Sequence, residues 1–113
     1  MLIAMPRGDI RWERFVVDDP DGSRTSLNFD SVYFTVKKCK KDKHFIFQKS
    51  TKDDTIEMLD LGDYQFKIEP EDTHNMSYGE YYADIQLTYK DLLKETFPVT
   101  FVLYGESTWE ANE

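Results

Sequence analysis

A single cysteine, Cys39, stands among the 113 residues, so no internal disulfide can form. Secreted domains of this size usually carry an even cysteine set, so a reducing compartment is expected. Five glycines and four prolines are too few for a collagen-like or low-complexity chain. No run approaches the roughly 18 apolar residues of a membrane span. Met1-Leu2-Ile3-Ala4-Met5 is too short for the apolar part of a secretory signal, and Pro6-Arg7-Gly8-Asp9 ends it. Basic residues are also scarce: 14 face 22 acidic ones, for a net charge of -8. Phosphate binding needs a basic field, so nucleic acid is not an expected partner, and with no apolar span neither is a membrane.

Aromatics, by contrast, are plentiful, with 8 Phe, 7 Tyr and 2 Trp making 15% of the chain. Such richness favours strands, and the dominant pattern is period-two alternation broken by turns. Strands are expected over Asp9 to Val17, Ser31 to Lys37, His44 to Gln48, Thr55 to Asp60, Tyr64 to Glu69, Gly79 to Tyr89 and Leu93 to Tyr104. In the second, Val32, Phe34 and Val36 share one face. In the sixth, Tyr81, Ala83, Ile85 and Leu87 do. Pro98 cannot donate to a sheet ladder, so an edge or a bulge is expected there. Pro70 to Asn75 reads as one helical turn or a loop. About seven strands at this spacing predict one all-β domain over residues 1–113, an antiparallel sandwich. Residues 1–8 and 106–113 are expected to be flexible ends.

Candidate chemistry is thin. Asp18, Asp19, Asp21 and Gly22 resemble part of a calcium loop. Aligning the glycine puts Val17 at the first ligand position and no Glu at the twelfth, so the motif fails. Glu69, Glu71, Asp72 and His74 form the densest acid–imidazole cluster, but Pro70 and the turn chemistry predict a solvated corner. Cys39 has lysine neighbours and no recognisable acid–base partner. Arg7-Gly8-Asp9 and Asn75-Met76-Ser77 match short recognition tripeptides that carry little information. No catalytic, cofactor or metal residues are therefore expected. Lys37, Lys38, Lys40, Lys41 and Lys43 form a basic loop, read as a solvated turn that also protects a sheet edge. Trp12, Tyr33, Tyr82, Tyr89 and Trp109 are not placed inside by the alternation and are candidate interface residues.

Ile68-Glu69-Pro70-Glu71-Asp72-Thr73 followed by Tyr78-Gly79-Glu80-Tyr81-Tyr82-Ala83-Asp84-Ile85 resembles the segment before and into strand F of immunoglobulin-like domains. There a Gly-x-Tyr step places a tyrosine that locks the corner. Ala83 stands where antibody members carry a cysteine, and the third strand of that pattern has no Trp here. A resemblance covering most of the chain rests on Gly8-Asp9-Ile10, Asp21-Gly22, Val32 to Lys37, Phe45 to Lys49, Gly62-Asp63-Tyr64 and Gly79-Glu80-Tyr81. These resemble small phage and prophage proteins of Gram-positive bacteria, themselves similar to the immunoglobulin-like N-terminal domain of phage baseplate upper proteins. The resemblance implies an immunoglobulin-like antiparallel β-sandwich and a non-enzymatic structural role. Tail or baseplate proteins are then the expected partners, with homo-oligomers. Synthesis in the bacterial cytoplasm, followed by association with the virion, is implied too. A carbohydrate-binding or adhesin-like module is the alternative, because sandwiches host many kinds of site.

Overall fold

The computed structural model describes residues 1–91 and 93–105. Eight strands account for most of them: β1 (Leu2–Pro6), β2 (Arg11–Val16), β3 (Ser31–Lys37), β4 (Phe47–Ser50), β5 (Ile56–Asp60), β6 (Asp63–Ile68), β7 (Gly79–Tyr89) and β8 (Leu93–Tyr104). One helical turn, α1 (Pro70–Thr73), joins β6 to β7. A five-stranded sheet has the order β1-β8-β7-β3-β4, and a three-stranded sheet the order β2-β6-β5. All pairings are antiparallel except β1 with β8, which is parallel.

Alternation explains how the two sheets meet. Val32, Phe34 and Val36 on β3, Ala83, Ile85 and Leu87 on β7, and Val99, Phe101 and Leu103 on β8 are all buried. They face Tyr64, Phe66 and Ile68 of β6, and together these residues form one core. Phe34 and Phe66 stack across the sheets with ring centroids 4.5 Å apart. Each buried aromatic of this kind stabilises the fold by roughly 1.5–3 kcal/mol through surface removed from water. The Tyr81 hydroxyl donates to the Ser77 carbonyl at 2.8 Å and ties the start of β7 to the turn before it. At the β5–β6 turn, Gly62 has φ +72°, and a Cβ there would lie 2.7 Å from the Thr25 methyl.

Several sequence expectations need correction. Residues 1–8 contain β1, whose Ile3 and Met5 are buried. The alternation Leu-Ile-Ala-Met spans too few residues to stand out without its partner. That strand makes eight rather than seven and renders the larger sheet mixed. The expected strand at His44 to Gln48 is shifted to β4, which leaves Phe45 and Ile46 exposed in the β3–β4 connection. Residues 106–113 lie outside the described residues. The strand at Gly79–Tyr89 and the one at Leu93–Tyr104 have the expected limits.

Candidate functional site

The most distinctive surface lies along β8. Strand β1 covers only its second half, with Leu2 opposite Thr100 and Pro6 opposite Tyr104. Thr100 N–H donates to the Met1 carbonyl at 3.0 Å, so its backbone turns towards β1. Backbone groups alternate sides along a strand, so Pro98 turns the same way. It does so beyond the last residue paired with β1, where no donor is needed. Pro98 thus sits on an edge, as expected, although β8 is interior in the strand order. Beside this uncovered half opens a groove of about 540 Å³, lined by Met1, Phe15, Val16, Val17, Asp18, Ile85, Phe97 and Pro98. Met1, Val16 and Phe97 are exposed there although apolar.

The groove's wall from the smaller sheet is held by charge. Arg14 on β2 donates to both Asp63 carboxylate oxygens, at 2.8 and 2.5 Å. Arg24 approaches the same carboxylate at 3.7 Å. These bonds, the one from Arg14 foremost, hold the Asp63 carboxyl below the usual carboxylate range. Phe15, on the same strand, stacks on Tyr64 at 5.4 Å.

At the end of the molecule where β3 finishes, the basic loop projects as a turn. Asp42 N–H donates to the Cys39 carbonyl, and Cys39 N–H to the Asp42 carboxylate, both at 3.1 Å. Lys38, Lys40, Lys41 and Lys43 are exposed, as is Cys39, and Lys37 is half-buried. Lys40 Nζ lies 6.0 Å from the Tyr82 ring centroid, which brings the basic loop to one of the candidate interface aromatics. Burial first, and then the Asp84 carboxylate it donates to, raise the Tyr82 phenol above its ordinary value. The other candidate aromatics do not converge. Tyr33 is half-buried on β3, and Tyr89 packs edge-on against Phe29. Trp12 stands on the other sheet, 61% exposed, with Lys67 Nζ 5.6 Å from its ring. Trp109 lies outside the described residues.

The acid–imidazole cluster is divided by the fold. Asp72 bonds Lys49 Nζ at 2.6 Å, and its carboxylate accepts the Glu69 N–H at 2.8 Å. The Lys49–Asp72 pair is largely buried and joins α1 to the edge strand β4. Glu71 and His74 remain exposed. The expected solvated corner is thus half structural. Lys49 carried no sequence signal, because it follows the expected strand His44 to Gln48 and a lone lysine gives no sign of a carboxylate 23 residues on. Among the described residues, no three His, Cys, Asp or Glu side chains gather as metal ligands. No described helix is long and apolar enough to cross a membrane. Compared with known proteins, the chain matches no family model and no curated protein sequence.

Proposed function

We propose that this chain is a non-enzymatic packing module with an immunoglobulin-like fold, built into a phage or prophage tail or baseplate. The observation that carries the packing role is the groove beside Pro98. Exposed apolar surface between two sheets is a typical docking place for another chain. The fold reading draws on the strand order and on the Tyr81–Ser77 bond. Neighbours β8-β7-β3-β4 and β2-β6-β5 follow the GFCC′ and BED orders of immunoglobulin-like sandwiches, and a tyrosine bonded upstream is their corner device. In that reading β1 is a first strand placed on the larger sheet. The tail or baseplate placement rests on the sequence resemblance.

The test is to induce the prophage or grow the phage that encodes the protein, purify particles and quantify the chain by mass spectrometry. Recovery at a fixed ratio to other tail proteins is expected. Complete particles that lack it would overturn the placement.

A further inference from the structure

We propose that the groove beside Pro98 receives the lysine loop of a second copy of this chain, so that molecules join head to tail. The inference rests on the packing reading above and names its partner. Charge complementarity selects the occupant. The groove is apolar, with Asp18 in its lining. Exposed Glu95 lies two residues before Phe97, on the same side of β8. The chain offers one segment of opposite sign. Lys37 to Lys43 holds five lysines and one aspartate, whereas the other residues hold nine basic and 21 acidic side chains. This segment runs directly into Phe45 and Ile46, which are 51% and 41% exposed. One loop therefore presents cations and two apolar side chains together. That is the complement of an apolar groove whose lining carries the Asp18 carboxylate.

Loop and groove are different surfaces, so the contact is heterologous. Each added copy keeps one open loop and one open groove, and growth continues until a ring closes. Phe45 and Ile46 supply buried area, while lysine–carboxylate pairs set register and speed encounter. The contact is small, so association is weak, with dissociation constants of about micromolar or higher.

Sedimentation velocity on the full chain over a concentration series tests this. Mass is expected to rise with concentration, and the dissociation constant to weaken about tenfold between about 50 and about 500 mM salt. Phe97→Ser damages the groove, and Lys41→Glu with Lys43→Glu damages the loop. Each variant alone is expected to stay monomeric. Mixed, they are expected to form a dimer and nothing larger, because one intact loop meets one intact groove. Val16→Ser, in the groove's other wall, repeats the groove test if Phe97→Ser alters the circular dichroism. A wild-type chain that stays monomeric overturns the proposal. So do variants that associate as wild type does, or a mixture that yields no dimer. Self-association without incorporation into particles would remove only the tail placement; incorporation of a monomer would remove only the head-to-tail contact.

Discussion

Along β8, Phe97 and Phe101 hold the same phase and have opposite fates. Beyond Thr100, β1 closes the edge, and Ile3, Met5, Phe101 and Leu103 are buried at 1% exposure or less. Before Thr100 nothing covers the edge among the described residues, and Phe97, in phase with Val99 and Phe101, is 43% exposed. Val99, next to the start of that pairing, is still buried, so the exposure belongs to Phe97, on the far side of Pro98. Pro98 lies just before this pairing and withholds a donor from the side that faces β1.

Substitutions that separate the two halves sharpen this contrast. Ile3→Ala, in the covered half, should cost roughly 2–5 kcal/mol by chemical denaturation, because it empties a fully buried site. A cost below about 1 kcal/mol would mean that β1 contributes little to the core. Gly62→Ala tests the turn behind the groove's wall. It should cost roughly 1–3 kcal/mol, since the residue needs positive φ and its Cβ would meet Thr25.

The Arg14–Asp63–Arg24 cluster gives a pH signature. Asp63 titrates lower in the folded chain than in the unfolded one, where a value of about 3.9 applies. Its stabilisation is thus present above that value and is lost as pH falls through the lowered one. Acid unfolding of Asp63→Asn, compared with wild type, should lack this part of the slope. An identical profile would show that the cluster does not hold the wall. The smallest effect belongs to the open half. Phe97→Ser should change stability by less than about 1 kcal/mol, while abolishing the concentration dependence of mass. A large loss of stability there would make Phe97 a core residue and erase the contrast.

Much of the architecture was legible from alternation. The buried faces of β3, β6 and β7 follow directly from Val32-Phe34-Val36, Tyr64-Phe66-Ile68 and Ala83-Ile85-Leu87. The helical turn at Pro70 and the edge at Pro98 follow from what proline can and cannot do. Phe45 misled, because it shares a parity with Phe47 but precedes the residue at which pairing with Val36 begins. The site was far less legible. The lysine loop was visible as a charge run, and Tyr82 as an aromatic out of phase. The groove was not visible, because Met1, Val16 and Phe97 come from three distant segments whose meeting depends on strand register.

The sequence by itself determined the strand-rich class, the single apolar core and the separation of one basic segment from an acidic remainder. These follow from residue type and local period, which need no knowledge of neighbours. Only the tertiary structure decided that β1 runs parallel to β8, with Leu2 opposite Thr100. It also decided that Lys49 meets Asp72, and that an in-phase phenylalanine is left at an open edge. Each of these depends on which distant strands pair and in which register, and burial and charge pairing are properties of that meeting.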